Sequence, residues 1–77
     1  MILTDCILLE VKAELERARA LHPRRFNSAH EGYAVLLEEV DELWDEIKAN
    51  PQDRRRMRAE AIQVAAMAMR FLVEVCS

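Results

Sequence analysis

The segment that begins at Asn50 and runs to about Val75 is apolar around most of a helical circumference. Asn50 suits an N-cap and Pro51 the first helical position, and at about 100° per residue apolar side chains cover all but one narrow stripe. That polar stripe carries Glu60, Gln63, Arg70 and Glu74. A helix apolar nearly all round is a buried one, and in a three-helix monomer nothing would cover it. The segment therefore predicts copies that associate through this third helix.

The rest of the chain predicts two further helices and no strands, because no stretch alternates apolar and polar residues. The first helix is expected to begin at Thr4 or Asp5, either of which can serve as its N-cap. It is expected to end at about Leu21, since the residue before Pro23 avoids the α region. The sequence therefore predicts an all-α fold.

The second helix is predicted to begin at Ser28, which forms a capping box with Glu31, and to end near Ala49. Its apolar residues recur at helical spacing as Tyr33, Leu36, Leu37, Val40, Trp44 and Ile47. An apolar stripe of this kind packs on a core, so Trp44 is expected to be a core residue rather than a base-stacking one.

Size and composition place these helices in a single domain, residues 1–77. So short a chain buries little surface, yet 52% of its residues are hydrophobic, which favours a core shared between copies. A net charge of -3 gives no basic surface for nucleic acid. No apolar run approaches the roughly 18 residues of a membrane span and no secretory segment is visible, so a cytoplasmic protein is expected. Cys6 and Cys76 are then reduced, mostly buried thiols.

Acidic residues crowd one face of the second helix. Glu39, Glu42 and Glu46 are spaced by three and four residues, which places them on one face. Glu60 and Gln63 share a face of the third helix in the same way. The short connector between the helices favours antiparallel packing, which would bring the two acidic faces together.

Like charges that converge in a partly dry place are unfavourable unless something neutralises them. A hard divalent cation does so, and all-oxygen ligands favour Mg²⁺, with Mn²⁺ as the other choice. Such an ion suits phosphoanhydride hydrolysis. The alternative is an ordinary solvated acidic face, with Glu60 as a partly exposed partner of an arginine, and the residues alone leave it open.

Two short motifs resemble those of a known family. EEVDE, Glu38 to Glu42, followed by EAIQ, Glu60 to Gln63, is similar to the EE-x-x-E and E-x-x-D signature of MazG-like nucleotide pyrophosphohydrolases, in the all-α NTP pyrophosphatase superfamily. The resemblance covers residues 28–75. It implies a homo-oligomer, dimer or tetramer, whose three-helix chains build four-helix bundles. It also implies Mg²⁺-dependent hydrolysis of nucleoside triphosphates to the monophosphate and pyrophosphate.

The resemblance further implies roles for single residues. Glu39, Glu42 and Glu60 would be Mg²⁺ ligands, and Glu38 would be a ligand or would orient the attacking water. Gln63 stands where the family has Asp, and an amide oxygen binds a hard cation more weakly than a carboxylate does. That departure leaves a second interpretation, a helical oligomerisation or protein-binding module that keeps the bundle but has lost turnover.

Three residues are weaker candidates for contact with a substrate. His30, in the first turn of the second helix, is either a substrate contact or a surface group. Tyr33 lies with Phe26 and Asn27 near the loop where a base pocket would be sought. Arg56, in the run RRRMR, either reaches the triphosphate or belongs to a solvated helix turn. The chain has no nucleophile constellation and no glycine-rich phosphate loop.

Overall fold

A computed structural model describes residues 2–77, so Met1 of the predicted domain lies outside the described residues. It contains three helices, α1 (Leu3–Leu21), α2 (Ala29–Lys48) and α3 (Arg54–Glu74). Residues 2–77 contain no strand, which confirms the all-α prediction for this part of the chain. None of the described helices combines the length and apolar character that a bilayer crossing requires.

The helix α3 is the centre of the fold, because α1 and α2 both pack on it. The pairing of Glu10 with Arg58 and of Arg70 with the His22 carbonyl shows that α1 runs parallel to α3. Phe71 lies beside Gly32, near the start of α2, so α2 runs antiparallel to α3. This is the α2–α3 arrangement that the short connector predicts.

The predicted starts of α1 and α3 are wrong. The N-cap of α1 is Ile2, which makes no side-chain cap, so Thr4 and Asp5 lie inside the helix. Asp53 caps α3 by accepting hydrogen bonds from the N–H groups of Arg55 and Arg56. A carboxylate accepts hydrogen bonds from these otherwise unpaired donors, and the helix dipole favours its negative charge. The helix therefore begins after Asp53 rather than after Asn50.

The remaining helix boundaries agree with the predictions to within a residue. Ser28 caps α2, its Oγ accepting from the Glu31 N–H at 3.1 Å. The Glu31 carboxylate, in turn, accepts from the Asn27 N–H at 2.9 Å. The capping box is therefore confirmed in position, with its second bond shifted one residue toward the connector.

The core forms where α3 meets α1. Its buried apolar residues are Val11, Leu15 and Ala18 of α1 and Ala66 and Met67 of α3. Ala66 is fully buried, and the exposed large apolar residues of α3 lie near its end, at Leu72 and Val73. The expectation that nothing in one chain covers α3 is thus wrong, because α1 and α2 cover it from two sides.

The helix α2 turns its acidic face, not its predicted apolar stripe, toward α3. Val35 and Leu36 pack against the core, and Glu39 lies partly buried on the same side. Five large apolar residues remain exposed, and we call them the outer stripe: Tyr33, Leu37, Val40, Trp44 and Ile47. Trp44 is 54% exposed, so its predicted place in the core is wrong. Cys6 and Cys76 are exposed as well, contrary to the prediction of buried thiols.

Gly32 marks the closest approach of α2 to the aromatic side chains around it. A Cβ at this position would lie 2.7 Å from Phe71 Cδ2 and 3.1 Å from Phe26 Cδ2. We expect Gly32→Ala to destabilise the protein by about 1–2 kcal/mol, because forced movement of two rings outweighs the better helix propensity of alanine. Urea unfolding measures this difference. Ala34→Ser, on the exposed side of the same turn, is the control, and an equal effect of both variants would contradict the packing argument.

Arg70 is a buried charged residue of α3. It forms hydrogen bonds to the connector that joins α1 and α2. Its Nη2 donates to the carbonyls of His22, at 2.9 Å, and Arg24, at 2.8 Å, while its Nε donates to Glu74 at 2.9 Å. Its guanidinium lies 4.7 Å from the centre of the Phe26 ring. The Phe26 N–H donates to Glu74, so both partners of the ion pair hold the connector.

Burial opposes the charge of Glu74, but the hydrogen bond from the Phe26 N–H and the charges of Arg70 and Arg19 outweigh it. The pKa of Glu74 therefore lies below its ordinary value. The carboxylate stays ionised, as its partners require. The polar stripe of α3 is accordingly divided, with a structural ion pair at its C-terminal end and Glu60 and Gln63 nearer its middle.

Candidate metal centre

Three carboxylates from two helices meet between α2 and α3. Glu39, Glu42 and Glu60 each place one carboxylate oxygen within 4.8 Å of the others. Residues 39 and 42 share a face of α2 because they are three apart, and antiparallel packing brings Glu60 to the same level. The structure thus brings together the three acidic residues that the sequence singles out.

Two of the carboxylates leave buried oxygens unpaired. Glu39 Oε2 and Glu60 Oε2 are inaccessible to solvent and have no hydrogen-bond partner within residues 2–77. Buried acceptors without partners cost about 1–3 kcal/mol each and are uncommon in folded proteins. The arrangement is therefore unfavourable unless a proton or a cation satisfies these oxygens.

The pKa values of Glu39 and Glu60 are displaced in the direction that crowding predicts. Burial, followed by the charge of Glu42 and that of Glu60, raises the pKa of Glu39 to about 7. Burial also raises the pKa of Glu60, with further contributions from the charges of Glu42 and Glu46. The free cluster therefore retains a proton near neutral pH, and a bound cation would have to displace it.

The donor set fits a hard divalent cation. Three carboxylate groups offer only oxygen ligands, which Mg²⁺ and Mn²⁺ prefer over the nitrogen and sulfur ligands typical of zinc. Oxygens bound to one Mg²⁺ at about 2.1 Å are at most about 4.2 Å apart. The observed separations, at or below 4.8 Å, need only small side-chain rotations to reach that limit.

Gln63 and Glu38 lie beside the cluster. Gln63 is half-buried one helical turn after Glu60, and Glu38 is exposed on α2. Both line a cleft of about 650 Å³ whose walls include Glu39. Gln63 and Glu38 therefore share this cavity with one carboxylate of the cluster, Glu39, whereas Glu42 and Glu60 are not among its lining residues.

The weaker substrate candidates do not join this cavity. Tyr33 is 61% exposed and belongs to the outer stripe. His30 is exposed, and so is Arg56 in the first turn of α3. None of the three is among the residues that line the 650 Å³ cleft, so the structure does not place them in the cavity that Glu39 lines. Phe26 does line the cleft, but its ring is stacked against Arg70.

Two residues of α1 border the centre although no sequence pattern indicates them. Glu14 lies close enough to Glu39 for its charge to contribute to the raised pKa of that residue. Arg17 pairs with Glu14, its Nη2 lying 2.6 Å from Glu14 Oε2. Both residues line the cleft. No motif marks them, because only the parallel packing of α1 on α3 places them there.

A second cleft continues from the first. It has a volume of about 520 Å³, and its lining includes Arg55 and Arg58. Three residues line both clefts, Glu14, Arg17 and Gln63. The two clefts thus adjoin at Gln63.

Comparison with known proteins gives no match: no family model, curated protein or solved structure matches this chain. The similarity to MazG-like pyrophosphohydrolases rests on EEVDE and EAIQ alone. Any assignment of function must therefore be argued from the chemistry of the centre.

The raised pKa of Glu39 predicts a pH-dependent stability in the absence of divalent cations. Between its ordinary pKa of 4.5 and about 7, the folded state holds a proton that the unfolded state does not, so stability falls as pH rises through this window. We expect a loss of about 1 kcal/mol between pH 5.5 and pH 8, since solvent screens a half-buried group. Urea unfolding in a chelating buffer measures this loss.

The control for this prediction is Glu39→Gln, which removes the titrating group. The difference between the two pH values should shrink in this variant, and millimolar Mg²⁺ should restore wild-type stability more at pH 8 than at pH 5.5 because protons compete with the cation. Equal pH dependence in wild type and variant would show that Glu39 does not cause it.

Proposed function

We propose that this chain is a Mg²⁺-dependent nucleoside triphosphate pyrophosphohydrolase, which releases the nucleoside monophosphate and pyrophosphate. The observation that carries the proposal is the convergence of Glu39, Glu42 and Glu60 with two buried, unpaired carboxylate oxygens. Such a set is costly without a cation and suited to one. The motif resemblance of EEVDE and EAIQ adds the substrate class.

In this proposal Glu39, Glu42 and Glu60 hold the cation, Mg²⁺ or Mn²⁺. A cation so held supplies charge neutralisation at the phosphates and a lowered pKa of bound water. Gln63 offers a neutral amide oxygen, a weaker ligand than the family's Asp. Glu38, exposed in the cleft next to Glu39, orients the attacking water and accepts its proton. The cleft beyond them provides the space for the nucleotide.

A calorimetric Mg²⁺ titration, combined with a screen for pyrophosphate release from common and modified nucleoside triphosphates, tests the proposal. We expect the wild type to bind Mg²⁺ with millimolar or tighter affinity. Glu42→Ala should lose both this binding and any release of pyrophosphate. Asp41→Ala is the matched control, since Asp41 is an exposed acid on the same helix outside the cluster. No Mg²⁺ binding by the wild type, and no release from any nucleotide, would refute the proposal.

A second candidate function is a helical oligomerisation or protein-binding module without turnover. Gln63 in place of the motif Asp favours it, as does the exposed apolar surface of α2. The module predicts self-association or peptide binding with no pyrophosphate release. Gln63→Asp separates the two functions, because it should strengthen Mg²⁺ binding and hydrolysis only if the centre is catalytic.

Under either function, we propose that copies of the chain associate as a dimer or tetramer through the outer stripe of α2. The five exposed side chains of this stripe are spaced three or four residues apart and so form one continuous apolar face. A contiguous patch of that kind is unusual on a lone monomer. Burial of this apolar face between chains would then extend the small core. Composition predicts a shared core of this kind.

Trp44→Glu is expected to dissociate the assembly to monomers, because a charge in the middle of an apolar interface loses its hydration without gaining a partner. Sedimentation velocity at micromolar concentration measures the change. Leu72→Glu, on the exposed part of α3, is the control and should leave the assembly intact. Dissociation by Leu72→Glu alone would instead favour association through α3, as the sequence predicts.

A further inference from the structure

A groove runs over α3 between α1 and α2. Both helices pack on α3, but within residues 2–77 they do not pack on each other, so the space between them stays open. Gln63 and Met67 of α3 lie at its floor, and the larger cleft occupies it. The smaller cleft adjoins it between α1 and α3. The cavity of about 650 Å³ falls within the usual range of small-ligand sites, about 300–1,000 Å³.

The two walls of this groove differ in charge, because the α2 wall is acidic and the α1 wall carries an arginine paired with a glutamate. Glu38 and Glu39 lie on the α2 wall, and Arg17 lies on the α1 wall. The Nε and Nη2 atoms of Arg17 contact the Glu14 carboxylate. A guanidinium has five N–H donors, so other donors of Arg17 are not used by this pair. The Arg17 side chain is 56% exposed. It can therefore turn toward a ligand without loss of a buried contact.

The other arginines near the groove are less suited to this task. Arg58 lines only the cleft that lacks Glu39, and its guanidinium donates two hydrogen bonds to Glu10. Arg56 lines neither cleft, and Arg55 lines only the cleft that lacks Glu39. Arg24 does share the larger cleft, but it lies on the connector, where its side chain pairs with Glu31. Arg17 is thus the helix-borne guanidinium that lines both clefts and shares one with Glu39.

We infer that Arg17 binds the phosphate chain of a nucleotide that lies in this groove, across Gln63 from the carboxylate centre. The inference rests on the proposed function for the identity of the ligand. The phosphate chain then spans the groove. A cation on the α2 wall neutralises the phosphate charge at one end of the chain, and the guanidinium on the α1 wall neutralises it at the other end. The nucleoside occupies the part of the cleft lined by Leu21, Val35 and Met67, whose apolar surface suits a base.

Equilibrium binding of ligands that the proposed reaction does not consume tests the inference. The probes are an α,β-methylene nucleoside triphosphate and inorganic triphosphate, each titrated calorimetrically in the presence of Mg²⁺. We expect Arg17→Ala to weaken binding of both probes by about 10- to 100-fold, as for the loss of a charge-assisted hydrogen bond. Arg17→Lys should recover part of the affinity, because an ammonium keeps the charge without the bidentate geometry.

The matched control is Lys12→Ala, which removes one positive charge from the same helix at an exposed position outside both clefts. Binding that weakens in the Arg17 variants but not in Lys12→Ala supports the inference. Equal weakening in both alanine variants, or none, overturns it, and so does a wild-type protein that binds neither probe. Thermal unfolding of each variant verifies that the fold is retained.

Turnover distinguishes failure of this inference from failure of the proposed function. If the wild type releases pyrophosphate and Arg17→Ala has an unchanged KM, the inference is wrong and the function stands. If no nucleotide is hydrolysed while the probes still bind in an Arg17-dependent manner, the inference stands and the pyrophosphohydrolase is wrong. The expected result for an enzyme is a raised KM in Arg17→Ala, with a smaller change in kcat.

Discussion

Glu60→Gln is expected to abolish pyrophosphate release and, at the same time, to stabilise the protein in the absence of divalent cations. Glutamine keeps the shape of the side chain but removes its charge. In the wild type, the charges of Glu42 and Glu60 and the burial of both Glu39 and Glu60 make the ionised cluster unfavourable. Removal of the charge of Glu60 should relieve about 1 kcal/mol of this cost.

The loss of activity should be much larger than this change in stability. The cation would lose an anionic ligand from the third helix, and we expect turnover to fall by at least about 100-fold, as when a single electrostatic contact to a transition state is removed. Pyrophosphate release and urea unfolding in a chelating buffer measure the two effects. Asp41→Asn, an exposed charge change on α2, should alter neither.

Opposite changes in activity and stability distinguish a functional centre from an ordinary structural one. A variant that loses both stability and turnover would show that Glu60 stabilises the fold, and the centre would have to be reinterpreted. A variant that keeps full turnover would exclude Glu60 as a ligand.

Arg70→Ala is expected to cost about 3–5 kcal/mol of stability, the usual range for removal of one partner from a buried ion pair. The side chain of Arg70 is only 5% exposed and that of Glu74 only 6%. The substitution leaves the Glu74 carboxylate without its main partner and leaves two connector carbonyls, those of His22 and Arg24, without their donor. A small domain has only about 5–15 kcal/mol in total, so the substitution would remove a large part of the stability.

A double variant shows whether the unpaired charge or the lost packing causes this loss. Arg70→Met combined with Glu74→Leu removes both charges and retains volume, so it should be more stable than Arg70→Ala. Arg54→Ala, an exposed arginine at the start of α3, should stay within about 0.5 kcal/mol of the wild type. Thermal and urea unfolding measure all three, and a double variant no better than Arg70→Ala would contradict the ion-pair argument.

The number of helices and most of their ends could be predicted from the sequence, because periodicity, proline and capping residues act locally. The start of α3 could not, since Asn50 and Asp53 are both good N-caps and the choice between them depends on which one meets free backbone donors. The face of α2 that packs against α3 could not be predicted either. Its two faces each carry apolar residues, and packing against α3 selected the face with Val35 and Leu36.

The carboxylate cluster could be predicted because spacing along α2 and a short connector to α3 together fix which side chains meet. Glu14 and Arg17 could not, because they come from a helix that is separated from the others by residues 22–28 and carries no motif. Their position depends on the parallel docking of α1, which is a tertiary property. The sequence therefore predicts the three clustered carboxylates but not Glu14 and Arg17 on the opposite helix.

The separate docking of α1 and α2 on α3 has an evolutionary consequence. All three clustered carboxylates belong to the hairpin formed by α2 and α3, whereas the opposite wall of the groove belongs to α1. Substitutions in α1 can therefore reshape this wall without replacing any of the three carboxylates, although a change at Glu14 would also alter the pKa of Glu39. A lineage built on this plan would vary the wall formed by the first helix while the three clustered acids stayed unchanged.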